Sequence, residues 1–234
     1  MSIIRLGLQS GLCLCLLLAG CTTNQESMQD ATAESPATVV APASELSDTD
    51  SAPPESTAVD TTTEEEMLWQ KLAQAEEETY VVLLRHAIAP GTGDPTNFQL
   101  DDCSTQRNLS EAGRQQAKAI GEAFWSRNIP VVEVLSSQWC RCLETAELMD
   151  VGPVEPFAPL NSFFRDRSTA DAQMAQLKDY IATSQDRPGV IVMVTHQVNI
   201  TALSDIFPQS GSAVVMQLNE GQLDVLGQLS EPGS

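Results

Sequence analysis

Both histidines of this 234-residue chain end short apolar runs, and each has a neighbour that suits anion chemistry. His86 follows Arg85 at the end of YVVLLRH, and His196 follows Thr195 at the end of VIVMVTH. A neutral imidazole is a nucleophile, and a guanidinium group binds phosphate through paired N–H donors. These residue types predict a site in which His86 attacks phosphorus while Arg85 holds the phosphate.

A third polar segment, LSSQWCRC, follows the apolar run VVEV and carries Arg141. We expect Ser136 to end a strand and Arg141 to lie at the start of the next helix. Two guanidinium groups and a helix N-terminus form a site for a phosphate anion. A protonated His196 would add positive charge around the transferring phosphoryl group, so the site is expected to need no metal ion or cofactor.

The elements that must position these residues alternate between apolar strands and helices. The patterns predict strands at 79–86, 131–137, 189–196, 212–219 and 223–229, and helices at 64–77, 111–127, 137–149, 169–184 and 197–207. Continuously apolar strands between helices indicate an α/β fold with a mostly parallel sheet. Ligands of such sheets bind at the carboxyl ends of the strands, so the three polar segments should converge.

These segments resemble, in order, the motifs of the histidine phosphatase superfamily, which includes the phosphoglycerate mutase-like enzymes. LLRHA (83–87) is similar to the first histidine motif, although Ala87 stands where the best-known members have glycine. NLSEAGRQQA (108–117), the LSS and TA segments around Arg141, and VTH follow. The resemblance implies a three-layer α/β/α sandwich. It also implies that His86 is phosphorylated, that Arg85 and Arg141 bind the phosphate, and that His196 stabilises the transferring group.

The resemblance also implies a general acid, which family enzymes often supply as Glu or Asp from the segment after the arginine helix. Here that segment is FAPLNSFFRDRSTAD, and Asp166 is the predicted acid. Glu144 is a weaker alternative that is expected on a helix surface, and some members act without a dedicated acid. Arg107 is a further predicted phosphate contact, with a surface charge as its alternative role.

The N-terminus indicates export and a lipid anchor. Arg5 precedes an apolar run at 12–19 that is too short to span a bilayer. LAGC at 18–21 resembles a bacterial lipobox, which implies a signal peptide at 1–20 and lipidation of Cys21. The alternative is an ordinary secreted protein. Residues 21–66 contain no basic or aromatic residue and predict a disordered tether ahead of one domain at 67–234.

The net charge and the cysteine content limit which partners and which cellular compartment we expect. A formal net charge of −20 argues against nucleic acid as a partner, and we expect a monomer in the cell envelope that faces the periplasm or the exterior. An oxidising compartment permits a disulfide. Cys140 and Cys142 point about 200° apart on a helix, so Cys103 could pair with only one of them. Three free thiols are the alternative.

Three functions fit this sequence. The first is an exported, membrane-tethered phosphomonoester hydrolase that acts through a phosphohistidine on His86. Its substrate would be a small phosphorylated molecule or an envelope sugar phosphate, since the chain's plan also resembles envelope phosphatases that trim lipopolysaccharide core sugars. The second is a phosphoglycerate mutase, which export and the short domain disfavour. The third is a weakly active or inactive lipoprotein that uses the same fold as a phosphate-ligand binding or scaffold module. Export also disfavours a protein phosphohistidine phosphatase.

Overall fold

The computed structural model describes residues 61–231, which are built around one six-stranded sheet. The predicted signal peptide, Cys21 and most of the predicted tether lie outside the described residues. The helices and strands follow in the order α1 (Thr61–Ala73), β1 (Thr79–Arg85), α2 (Glu111–Ser126), β2 (Val131–Ser136), α3 (Cys140–Met149), β3 (Val154–Pro156), α4 (Ala170–Thr183), β4 (Gly189–Thr195), α5 (Gln197–Ser204), β5 (Ala213–Asn219) and β6 (Gln222–Leu229). Short 3-10 helices lie at Cys103–Thr105, Ala158–Leu160 and Arg167–Thr169.

The order of strands in the sheet is β3-β2-β4-β1-β5-β6. The first four of these run parallel, whereas β5 and β6 each pair antiparallel with their neighbour. Arg85 pairs with Thr195, and Ser136 pairs with Val194, so β1, β4 and β2 end side by side. The predicted convergence of the three polar segments at one edge of the sheet is therefore confirmed.

The core lies on both faces of the sheet, because the central strands bury every second side chain on each side. On one face, Leu84 of β1 shares a buried cluster with Phe124 of α2 and residues of α1 and α3. On the other face, Leu83 shares a second cluster with Ile181 of α4 and Ile200 of α5. This arrangement is the predicted three-layer α/β/α sandwich.

Several element boundaries differ from the prediction. Helix α1 covers Thr61–Ala73 and so begins three residues before the predicted helix at 64–77, inside the predicted tether. Leu68, Trp69 and Leu72 of this helix are buried in the domain core, which explains why the helix forms next to a polar segment. The strand β3 was not predicted, because three residues that end in Pro156 carry no strand pattern. No helix among residues 61–231 has the length and hydrophobicity that crossing a bilayer requires.

A disulfide joins Cys103 to Cys140, while Cys142 is free and buried. This pairing decides between the alternatives that the sequence left open. The bond ties the 3-10 helix in the loop after β1 to the first residue of α3, and thus fixes that loop beside Arg141. Burial raises the pKa of the Cys142 thiol to about 12, so this residue is an unreactive part of the core.

Loss of the disulfide should lower stability. The bond closes a segment with a sequence separation of 37, for which the chain-entropy relation gives about 4 kcal/mol of stabilisation. We expect Cys103→Ser to lower the melting temperature by roughly 10 °C in calorimetry of the oxidised protein. Reductant should lower the wild-type value by a similar amount and leave the variant unchanged. A wild-type melting temperature that reductant does not change would contradict this expectation.

Candidate active site

His86 lies directly after β1 and is held between two neighbouring elements. Its backbone N–H donates to the Thr195 carbonyl of β4 at 3.0 Å, and the side chain is buried, with 2% of the residue exposed. The Nδ1 atom lies 2.8 Å from the Ala87 carbonyl oxygen. Because a carbonyl only accepts, Nδ1 carries the proton and Nε2 keeps its lone pair. The ring therefore presents an unprotonated nitrogen, as the predicted nucleophile requires.

The electrostatic surroundings also keep His86 neutral. Burial and the positive charge of Arg141 lower its pKa to about 3, although the bond to Ala87 acts in the opposite direction. At neutral pH the nucleophile is thus available without loss of a proton. No base is needed to activate it.

His196 lies at the end of β4 and faces the same point. Its Nε2 atom is 2.9 Å from Ser137 Oγ, and its Nδ1 atom is 3.4 Å from Arg141 Nη2. Since a guanidinium only donates, Nδ1 accepts and Nε2 carries the proton. Ser137 Oγ can accept that proton because it donates its own to Asn161 Oδ1 at 3.2 Å. The predicted Ser-Ser segment thus sets the tautomer of this histidine.

The surroundings of His196 oppose the predicted positive charge on this ring. Burial, together with the positive charge of Arg141, lowers its pKa well below the ordinary value. The sequence could not reveal this lowered pKa, because its cause is the burial of the ring beside the buried guanidinium of Arg141. A bound phosphate dianion would act in the opposite direction, since it favours the charged ring.

The two predicted arginines carry buried N–H groups that have no partner among the described residues. Arg85 donates from Nη1 to the Pro208 carbonyl at 2.8 Å, yet its Nε is buried and unpaired. Arg141 is only 3% exposed, and its Nε is also buried and unpaired. An unsatisfied donor on a buried cation is costly, and an anion that accepts from it removes that cost. Both groups therefore favour a bound anion.

These residues line one cavity of about 300 Å³. Its positive lining consists of Arg85, Arg107, Arg141 and Arg165. Trp139, Phe164 and Phe207 form aromatic walls, and the last two are 49% and 64% exposed. Exposed large aromatic side chains at a cavity are typical of ligand sites.

Two predicted phosphate contacts are used differently. Arg107 lines the cavity, but its Nε donates to the Gly93 carbonyl at 2.9 Å and its Nη1 donates to the Ala89 carbonyl. Its guanidinium therefore holds the loop after β1. At the start of α3, the amide of Cys140 donates to Gln106 Oε1 and that of Trp139 to Ser137 Oγ. Side chains of the protein thus occupy part of the predicted anion site at the helix terminus.

The structure does not bring Asp166 into the cavity. Asp166 is exposed, and its carboxylate accepts from the backbone and the hydroxyl of Ser168 at the start of a 3-10 helix. These bonds lower its pKa, and the carboxylate lies outside the cavity, where it cannot reach a bound ester. Glu144 lies on the surface of α3 and pairs with Arg114 at 2.6 Å, as its alternative role predicted.

Asp94 is a site residue that the sequence did not single out. Its carboxylate lies 2.8 Å from Arg141 Nη1, and the side chain is only 6% exposed. It is the one carboxylate among the described residues that line the cavity. The available signal was weak. Asp94 is the only acidic residue between His86 and Asp101, inside a Gly- and Pro-rich loop whose path the sequence does not predict.

The remaining motif residues hold the site together. Thr145 of α3 accepts the Ala87 amide at 3.1 Å and donates to the Arg141 carbonyl at 2.6 Å. Gln116 of α2 accepts the Ile88 amide at 2.9 Å. Both bonds fix the backbone next to the nucleophile, which limits the reorganisation needed for reaction. Residues 61–231 contain no cluster of three or more His, Cys, Asp or Glu side chains that could hold a metal ion.

Comparison with protein families agrees with this geometry. Residues 81–156 match the family model of the histidine phosphatase superfamily (branch 1). The matched segment runs from β1 to β3 and includes His86 and Arg141. The family model thus covers the segment that holds three of the four motifs on which the resemblance rests. No curated protein matches the chain significantly.

Solved structures resemble this chain to different degrees. The protein histidine phosphatase SixA complexed with tungstate is 14% identical, with 65% of this chain and 97% of that chain covered and a TM-score of 0.50. YhfR from Bacillus stearothermophilus is 15% identical over 64% of this chain and 96% of its own, with a TM-score of 0.49. Phosphoserine phosphatase from Entamoeba histolytica in complex with 3-phosphoglyceric acid is 15% identical over 65% and 97%, with a TM-score of 0.46. The first similarity confirms the predicted fold class.

The two imidazole rings should be neutral in opposite tautomers. Since the chain has two histidines, its ¹H–¹⁵N imidazole spectrum contains two spin systems. We expect protonated Nδ1 in His86 and protonated Nε2 in His196, with neither ring titrating between about pH 5 and 8. Below the ordinary pKa near 6.5, the unfolded chain would take up protons that the folded rings do not bind. Falling pH should therefore destabilise the fold.

The same spectrum in urea provides the control, since both rings should then titrate near about pH 6.5. Identical tautomers in the folded protein would contradict the geometry of the site. So would a ring that titrates at its ordinary pKa.

Proposed function

We propose that this protein is a metal-independent phosphomonoester hydrolase that acts through a phosphohistidine on His86. The observation that carries the proposal is that His86, with an unprotonated Nε2, lines the same cavity as Arg85 and Arg141, each of which has a buried Nε–H without a partner among the described residues. A nucleophile beside such donors suits attack on a phosphate, whose oxygens accept the free hydrogen bonds.

The reaction follows from the positions of these groups. The phosphate oxygens accept from Arg85 and Arg141, which places phosphorus next to His86 Nε2. The Nε2 lone pair attacks phosphorus while the bond to the ester oxygen breaks on the opposite side. His196, whose protonated form a bound phosphate favours, stabilises the transferring group. Water then attacks the phosphohistidine, and phosphate leaves with the lone pair returned to Nε2.

The proposal also places the enzyme in the cell envelope. The N-terminal lipobox-like segment and the acidic tether support an exported domain that a lipid on Cys21 holds near a membrane. The disulfide supports an oxidising compartment. A substrate in that compartment would be a small phosphorylated molecule or an envelope sugar phosphate. The cavity of about 300 Å³ suits a small ester rather than a folded protein.

Turnover should depend on His86 and not on metal. We expect the oxidised full chain to release phosphate from 4-nitrophenyl phosphate and from sugar phosphates in the presence of chelator. His86→Ala should lower kcat by roughly 1,000-fold or more, because no other nucleophile is placed to attack. Mass spectrometry after a rapid quench should find acid-labile phosphate on the wild-type peptide that contains His86.

Two results would contradict the proposal. Phosphate release that chelator abolishes would indicate a metal-dependent reaction. A folded protein that binds phosphate but releases none from any ester would favour the binding or scaffold module.

A further inference from the structure

Hydrolysis of an alkyl or sugar phosphate requires a proton for the departing oxygen, because an alkoxide is a poor leaving group. His86 cannot supply it, since this ring is the nucleophile. The donor must therefore be a second group that reaches the cavity. Of the described carboxylates, only Asp94 lines the cavity.

Asp94 is held by four hydrogen bonds. Its Oδ1 accepts from Arg141 Nη1 at 2.8 Å and from the Arg107 amide at 3.1 Å. Its Oδ2 accepts from Trp139 Nε1 at 3.1 Å and from Arg141 Nη2 at 3.3 Å. The carboxylate thus faces the Nη end of Arg141, whereas the buried Nε–H of that guanidinium has no partner. A phosphate can therefore approach Arg141 while Asp94 stays beside it.

Binding of a phosphate would change the protonation of Asp94. Burial raises the pKa of Asp94. The hydrogen bonds and the charge of Arg141, together with the hydrogen bonds from the Arg107 amide and the Trp139 side chain, outweigh burial and hold the pKa below its ordinary value. A phosphate that accepts from the Nε–H of Arg141 adds negative charge beside this carboxylate, which raises its pKa and favours protonation. Both histidine rings are neutral in this structure, so the positive charge that acts on Asp94 here comes from Arg141.

We propose that Asp94 is the general acid of this site, an inference that rests on the proposed function. Asp94 takes up the proton that the phosphate monoanion brings. As His86 Nε2 bonds to phosphorus and the ester P–O bond breaks, the carboxyl transfers its proton to the departing oxygen and an alcohol leaves. In the second half, the Asp94 carboxylate accepts a proton from the water that attacks the phosphohistidine. The P–N bond breaks, and phosphate leaves with the proton.

The test compares two substrates of similar shape that differ in their need for a proton. Benzyl phosphate releases an alkoxide, whereas 4-nitrophenyl phosphate releases a stable phenolate. We expect Asp94→Asn in the full chain to lower kcat at least about 100-fold on benzyl phosphate and less than about 10-fold on 4-nitrophenyl phosphate. Asp101→Asn removes one exposed charge from the same loop and should leave both rates unchanged.

Equal losses on the two substrates would overturn the inference, because a residue that only orients Arg141 affects both esters alike. If Asp94→Asn fails to fold, the wild type decides. A shallow dependence of kcat on the pKa of the leaving group supports an acid, and a steep one overturns it. If the wild type releases phosphate from neither ester, the proposed function itself fails and the inference with it.

Discussion

The site depends on one buried guanidinium, that of Arg141, which is 3% exposed near the start of α3. A cation in this position must be compensated, because an isolated buried charge is far less stable than a paired one. Asp94 provides part of the compensation. Burial and, after it, the charge of Arg141 lower the pKa of both histidines, which keeps the nucleophile unprotonated. Affinity for an anion, neutrality of His86 and the position of a carboxylate thus all depend in part on Arg141.

The rest of the fold serves to keep that guanidinium where three strands end. Because β2, β4 and β1 pair in parallel, their carboxyl ends lie side by side and bring the three polar segments together. The Cys103–Cys140 bond and the bonds of Thr145 hold the helix and the loop after β1 in one geometry. This fixed geometry holds the hydrogen-bond donors of the site in place before the reaction, which lowers the cost of stabilising charge in a transition state.

The sequence predicted the strand ends and the convergence of Arg85, His86, Arg141 and His196, because continuous apolar runs specify buried parallel strands. Other features depended on the three-dimensional path of loops. Asp94 lies in a segment rich in Gly and Pro, where no periodic pattern predicts the direction of a side chain. Asp166 looked suitable by its order in the chain, yet its carboxylate faces Ser168 in solvent. The low pKa of His196 follows mainly from its burial, which cannot be seen in the sequence.

A crystal structure of the protein with vanadate would test the role of His86 most directly, because vanadate adopts the geometry of a phosphoryl group in transfer. We expect vanadium at covalent bonding distance from His86 Nε2. Its equatorial oxygens should accept from the Nε–H groups of Arg85 and Arg141, and the apical oxygen opposite His86 should face Asp94. Vanadate bonded to His196, or held outside the cavity with both Nε–H groups still unpaired, would exclude His86 as the nucleophile of this site.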